Sequence, residues 1–259
     1  MNNPQIKNHY EAAAYLNKNG LQLIVEASQG GAGPLLVNEK LETRKPYKPD
    51  LIDLCRLHRF LIENKRTTVL EFGTGWSTWV LADALSKLKS EFSNEVKALR
   101  RNNPFELHVV DDEPEFIGIA ELRIPDHLRK IITFHEKSVF VGTFNDRICT
   151  YYESIPHVSP DFIYVDGPDQ FSVKSDIAGW STRHKDMMPM SADLLRIEHY
   201  LTPGTIVVFD GRAANARFFK SNIQRGWDYK YDADYDQHVF LQCEKPLGKF
   251  NKRQLDFYG

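Results

Sequence analysis

The sequence predicts an α/β fold: a doubly wound, mostly parallel seven-stranded sheet that ends in a C-terminal antiparallel hairpin. Three observations predict it. Short β-branched and apolar runs alternate with helical patterns from Thr67 to Phe219. Four of those runs end in a carboxylate: Glu71, Asp111, Asp166 and Asp210. Two further runs, Trp227 to Asp232 and His238 to Gln242, follow with only the turn-like Ala233-Asp234-Tyr235-Asp236 between them. Right-handed crossovers place all four acid tips on one edge of the sheet, the edge where open α/β sheets hold ligands.

Composition sets the outer bounds. A chain of 259 residues is long enough for one large α/β domain with a sizeable core. A formal net charge of −2 gives no bulk attraction for nucleic acid or an anionic membrane. No basic-then-apolar start reads as a signal peptide, and no apolar run is long enough to span a bilayer. Cys55, Cys149 and Cys243 are far apart and in no C-x-x-C spacing, so they read as reduced thiols of a cytoplasmic protein. Partners are therefore expected to be a small molecule and, as a candidate, a second copy of the chain.

Along the chain, residues 1–48 read as an N-terminal extension. Tyr10 to Leu16 is a short helix ended by Asn19-Gly20, and Leu21 to Glu26 reads as a short strand. Ser28-Gln29-Gly30-Gly31-Ala32-Gly33-Pro34 is a linker or a candidate lid, since glycines make hinges. Residues 49–245 form the main domain. Pro49 to Asn64 is a helix, with Leu51, Leu54, Leu57, His58, Leu61 and Ile62 at helical spacing. Thr67 to Leu70 is the first strand, and a helix follows from about Ser77 to Ala98. Phe105 to Val110 and Lys130 to Phe134 are the second and third strands, and Phe144 to Ile155 reads as a helix. Phe162 to Val165 and Thr205 to Asp210 are the next two strands. Ser191 to Tyr200 is a helix with Ser191 as N-cap, and Gly211 to Phe219 is another. Residues 169–190 lack periodicity and read as a substrate-side insertion. Residues 246–259 read as a basic surface tail.

The chemistry concentrates at Thr67 to Thr78. A buried strand runs into Glu71, Phe72, Gly73, Thr74 and Gly75, and a helix starts at Trp76 and Ser77. Strand, glycine turn and helix bring a ligand against bare backbone at a helix N-terminus, where unpaired amides welcome a negative group. The dinucleotide fingerprint G-x-G-x-x-G would need a glycine at Thr78 and an apolar residue at Glu71. A carboxylate at that position suits a ligand with a positive amino group. A second carboxylate pair, Asp111 and Asp112, stands where doubly wound folds hold a ribose, and Asp112 before Pro114 also suits a helix N-cap.

The run Glu71-Phe72-Gly73-Thr74-Gly75-Trp76-Ser77 resembles motif I of the class I S-adenosylmethionine (SAM)-dependent methyltransferases, with Ser77 in place of the last glycine. Asp161-Phe162-Ile163-Tyr164-Val165-Asp166-Gly167-Pro168 is similar to the fourth-strand motif of small-molecule O-methyltransferases that include the macrolide-sugar enzymes. Leu201 to Asp210 fits the same superfamily. The resemblance implies SAM as cofactor, with Glu71 at its amino group and Gly73, Thr74, Gly75, Ser77 and Thr78 around the turn. It implies Asp111, or secondarily Asp112, at the ribose, Ser138 and Val139 beside the adenine, and Asp166 near the reacting end. Asp166, Asp210, Arg212 and His184 are the candidate catalytic residues. In that group the fourth-strand aspartate helps hold magnesium. Here Gly211 stands where a second acid is usual, so magnesium is a candidate cofactor and its ligands are undetermined.

The reading is thus methyl transfer to a hydroxyl, a sugar hydroxyl being one candidate, or to an amine of a small molecule. Its rivals are an oxidoreductase using NAD or a nucleotide sugar, and a methyltransferase-like scaffold that binds a nucleoside without turnover. The first rival needs a third glycine and a tyrosine–lysine pair at helical spacing, neither of which stands out. The closing hairpin separates them too, since a dinucleotide fold continues with a parallel unit.

Overall fold

A computed structural model describes residues 1–30 and 47–259. Its centre is β1 (Thr68–Phe72), buried along its whole length. Before it come α1 (His9–Lys18), α2 (Gln22–Ser28) and α3 (Leu51–Asn64). After it come α4 (Trp76–Lys97), β2 (Glu106–Asp111), α5 (Pro114–Arg123), α6 (Asp126–Arg129) and β3 (Ile132–Glu136). A separate antiparallel pair follows, β4 (Val139–Phe144) and β5 (Arg147–Tyr152). Then come β6 (Phe162–Val165), α7 (Asp193–Ile197), β7 (Ile206–Asp210), α8 (Ala213–Asn222), β8 (Trp227–Asp232), β9 (Gln237–Gln242) and α9 (Gly248–Tyr258).

The main sheet runs β3-β2-β1-β6-β7-β9-β8. β1 pairs parallel with β2 and β6, and β6 with β7, while β9 enters antiparallel between β7 and β8. This is the Rossmann-like, doubly wound sheet with the closing hairpin that the sequence predicts. Alternation divides the core into two faces. Val69, Leu107, Val109, Phe162, Tyr164 and Val208 pack with the helices α1 to α4. Leu70, Phe72, Val110, Ile163, Val165 and Phe209 pack with the β4–β5 pair, α7 and α8. Both faces are covered, which is why the parallel strands read as continuous apolar runs.

Four expectations are corrected. Leu21 to Glu26 is helical, not a strand: no strand pairs with it among the described residues, and α2 buries Ile24, Val25 and Ala27. An apolar run this short carries no period that separates the two. Phe144 to Ile155 is not a helix. Asn145 and Asp146 both take positive φ, 49° and 61°, and this two-residue turn joins β4 to β5 in a hairpin. The helix expected from Ser191 starts at Asp193 and ends at Ile197, with a tighter turn at Glu198–Tyr200; the Ser191 hydroxyl still accepts the Asp193 amide at 3.3 Å. The C-terminal stretch lies at the surface but is more than a tail. It forms α9, and its Tyr258 is buried, donating to Asp161 Oδ2 at 2.9 Å with the Arg66 guanidinium 3.8 Å over its ring. The same carboxylate receives the Thr67 and Thr68 amides, so α9 is tied to the start of β1. Of the candidate lid, Gly31 to Pro34 lie outside the described residues.

One contact sets the ligand edge. Gly73 has φ +92°, and a Cβ there would stand 2.9 Å from the Gly167 amide nitrogen and 3.0 Å from the Asp166 carbonyl carbon. A Cβ on Gly167 would stand 2.7 Å from the Gly73 nitrogen. The two turns, after β1 and after β6, therefore meet backbone to backbone. The Gly73 amide donates to Val110 O and the Asp166 amide to Phe72 O, locking three strand tips together.

Two outcomes follow from this packing. Gly73→Ala meets both a left-handed backbone and an immovable neighbour, so urea denaturation is expected to show a loss of about 2–4 kcal/mol. Tyr258→Phe removes a buried bond to a carboxylate and is expected to cost about 1.5–3 kcal/mol in the same measurement.

Candidate active site

A cavity of about 310 Å³ opens at the carboxyl edge of the sheet. Thr74, Gly75, Trp76 and Ser77 form one wall at the N-terminus of α4. Asp50, Asp53 and Leu54 of α3 form another, Phe116, Ile119 and Arg123 come from α5, and Tyr164, Asp166 and Asp210 stand at the strand tips. The size lies at the lower end for small-ligand pockets, and the lining mixes apolar walls with a few polar groups, as such pockets do.

Five of the residues singled out by sequence line this cavity: Thr74, Gly75, Ser77, Asp166 and Asp210. Gly75 differs from Gly73 in what it does. A Cβ at Gly75 would meet nothing closer than Ser77 Oγ at 3.9 Å, so this glycine leaves open space at the wall. Gly73 instead serves the contact with Gly167. Thr78 is buried and accepts the Gly75 amide at 3.3 Å, holding the turn from inside.

Glu71 is fully buried and does not line the cavity. It stands one hydroxyl behind it: Ser77 Oγ donates to Glu71 Oε1 at 2.5 Å. Its Oε2 has no hydrogen-bond partner among the described residues. Burial pushes its carboxyl up to about 8, against the pull of the Ser77 hydroxyl.

Asp111 and Asp112 sit at the tip of β2, both buried and both outside the cavity lining. Asp111 Oδ1 accepts the Glu113 amide at 2.8 Å; burial pushes its carboxyl up to about 7, against the backbone amides of Glu113 and Thr74. Asp111 thus organises the turn. Asp112 keeps an unpartnered Oδ2 among the described residues and is pushed up to about 6, first by burial and then by Glu113. Ser138 is half-buried beside β4, and Val139 is a core residue of β4 facing the second hydrophobic cluster, not a surface beside a ligand.

Arg212 stands behind the rim. Its Nε lies 3.4 Å from Asp166 Oδ1, and its NH1 donates to Pro168 O at 2.7 Å, after the cis Gly167–Pro168 bond. His184 is exposed in the 169–190 segment, beside Asp186 at 3.9 Å, and does not line the cavity.

Sequence reasoning missed several cavity groups. Asp50 caps α3 and Asp53 lies in its first turn, and no motif marks either. Tyr164 lies in the apolar fourth-strand motif and donates to Asp210 Oδ2 at 2.5 Å. Gln237 opens β9 opposite Asp210, and its Nε2 donates to Asp210 Oδ1 at 3.0 Å. Arg123 also lines the cavity, its guanidinium 4.2 Å over the Trp76 ring. Burial lowers its pKa to about 10.

The donor set does not suit magnesium. Asp166 is turned to Arg212 and Asp210 to Tyr164 and Gln237. Among the described residues no group of three or more His, Cys, Asp or Glu side chains is placed to hold a metal. A ligand with an anionic end fits better: the start of α4 lines the cavity with no side-chain cap on its amides, and Gly75 leaves open space there. No helix among the described residues is long and apolar enough to cross a membrane.

The chain matches no family model and no curated protein sequence. It is similar to solved structures at low identity. The O-methyltransferase TomG from Streptomyces achromogenes, involved in tomaymycin synthesis and solved in complex with SAM, is 14% identical, with 92% of this chain and 100% of that chain covered and a TM-score of 0.45. An O-methyltransferase from Bacillus cereus in complex with S-adenosylhomocysteine (SAH) is 13% identical, with 90% and 96% covered and a TM-score of 0.46. An SAH-bound methyltransferase from Podospora anserina is 11% identical, with 95% and 100% covered and a TM-score of 0.42.

Proposed function

We propose that this protein is a SAM-dependent methyltransferase acting on a hydroxyl or an amine of a small molecule, with a sugar hydroxyl as one candidate. One observation carries the proposal. The glycine turn and the tips of β6 and β7 open on a single cavity, in a sheet whose last strand enters antiparallel. A dinucleotide-binding sheet would continue in parallel at that place.

When bound, SAM supplies a methyl group already activated by a positively charged sulfur. The protein's work is therefore positioning and exclusion of water. The amides at the start of α4 suit the ligand's carboxylate. Gly75 leaves the wall open to it. Asp112 lies behind that wall at the tip of β2, with an oxygen unpartnered among the described residues, and Asp111 holds the turn beside it. Glu71 acts through Ser77, whose hydroxyl it orients, and adds negative potential beneath the turn once ionised. Leu54, Trp76, Phe116 and Ile119 give the cavity its apolar wall. Asp166, with Arg212 behind it, forms the polar rim on which an acceptor's hydroxyls would rest.

Calorimetry is expected to show binding of SAM and SAH and none of NAD. Absence of SAM binding at millimolar ligand overturns the proposal, and binding without methyl transfer over a broad acceptor panel favours a nucleoside-binding scaffold. Glu71→Gln separates structure from function. A carboxyl whose pKa is raised on folding weakens the fold increasingly as pH climbs from its unfolded value to its folded one, here from 4.5 to about 8. The glutamine variant is therefore expected to be more stable than the natural protein at pH values above that window, by on the order of a few kcal/mol, with the gap closing toward acid. The same variant is expected to bind SAM roughly tenfold more weakly at the alkaline end. A stabilised variant with unaltered affinity would remove Glu71 from the binding machinery.

A further inference from the structure

We propose that Asp53, on α3, is the general base of the transfer: the carboxylate that takes the proton from the acceptor's hydroxyl or amine. The inference rests on the methyl-transfer reading above and comes from following each cavity carboxylate to its partners. Asp50 is the N-cap of α3, and its Oδ1 accepts the Ile52 and Asp53 amides at 2.9 and 3.3 Å. Asp166 leans outward, its side chain 54% exposed, and is turned to Arg212. Asp210 has both oxygens engaged, by Tyr164 at 2.5 Å and Gln237 at 3.0 Å. A carboxylate held by two donors is a poor proton acceptor. Asp53 lines the cavity, is neither tied up by two donors nor paired with a cation, and its one printed side-chain contact, from the neutral Gln237 Nε2 to Oδ1, is long, 3.4 Å.

The neighbours tune it for the task. Arg56 and Asp50 flank it on α3, Asp210 and Asp166 face it from the strand tips, and Gln237 spans from Asp210 to it. Burial first, then Asp210 and Asp50, push its carboxyl up to about 8, while Arg56 pulls the other way. A base poised near the working pH both accepts and releases its proton readily. Arg56 itself is fully buried and committed elsewhere, to Asp232 at 2.8 Å and to Gln237 Oε1, so it does not neutralise Asp53 by contact.

The step balances. The acceptor's O–H or N–H proton passes to Asp53 Oδ2. The lone pair left on the acceptor forms the new bond to the methyl carbon, and the C–S bonding pair stays on sulfur. A positive sulfur and a negative carboxylate are both neutral afterwards, and an apolar wall favours such a loss of charge separation.

Proton counting tests this without knowing the acceptor. Calorimetry in buffers of different ionisation enthalpy measures protons released on binding. SAM and SAH share every charged group except the sulfonium, so a carboxyl beside the reacting sulfur ionises more with SAM. Near neutral pH the natural protein is expected to release more protons with SAM than with SAH, and Asp53→Asn to bind both ligands and lose the difference. With an acceptor found by panel screening, Asp53→Asn is expected to lower kcat roughly 100-fold or more, with KM for SAM little changed and the alkaline rise of kcat abolished. Failure of the natural protein to bind SAM overturns the methyl-transfer reading. Binding with equal proton release for SAM and SAH overturns Asp53 as base even if the variant does not fold, as does a difference that survives in Asp53→Asn.

Discussion

The ligand edge depends on two turns that touch with no side chain between them. Gly73 and Gly167 each occupy the space where the other's Cβ would stand. That approach fixes the distance between the N-terminus of α4, which leaves the first turn, and Asp166, which opens the second. A helix N-terminus that welcomes negative charge and a carboxylate that welcomes positive charge are thereby set side by side. No side-chain rearrangement can loosen that pair, because the contact is made of backbone.

Around that fixed point the protein gathers carboxylates it must keep from repelling one another. It does so by engaging most of them. Asp111 is held by the Glu113 amide and faces that of Thr74, Asp210 by Tyr164 and Gln237, and Asp166 lies beside Arg212. Glu71, whose Oε2 has no partner among the described residues, and Asp53, with one long contact, are both pushed up to about 8 by burial. A buried carboxyl without a full set of donors weakens a fold as it ionises. Sites of this kind are where stability and function part company, and a ligand bringing a cation and hydrogen-bond donors supplies what the chain withholds.

The sheet was legible in the sequence because buried parallel strands are short apolar runs with carboxylate or glycine ends, and these survive without any knowledge of neighbours. The turn at Gly73 was legible for the same reason, although its glycine serves strand-tip packing as much as a ligand. What was not legible depends on partners far along the chain. Asn145-Asp146 is a hairpin turn hidden inside a stretch that also fits a helix. Tyr258 reads as an ordinary tail residue until Asp161, ninety-seven positions earlier, is known to face it. Asp53 carries no motif, and only the meeting of α3 with the tips of β6 and β7 makes it a cavity residue. Glu71 shows the converse: a motif position points it at a ligand, and the fold sets the Ser77 hydroxyl between it and the cavity.

The antiparallel strand does more than close the sheet. In a parallel continuation the strand beside β7 would also end at the ligand edge. Because β9 runs the other way, it begins there, and its first residue, Gln237, falls opposite Asp210. A buried amide at that position can donate to Asp210 and reach Asp53, while its own oxygen is held by Arg56, which in turn is anchored on Asp232 at the end of β8. The amide is thus oriented from behind: with Arg56 on its oxygen, its nitrogen must face the carboxylates. The reversal of one strand therefore decides which aspartate is clamped and which is left open to the cavity, and topology becomes a statement about where a proton can go.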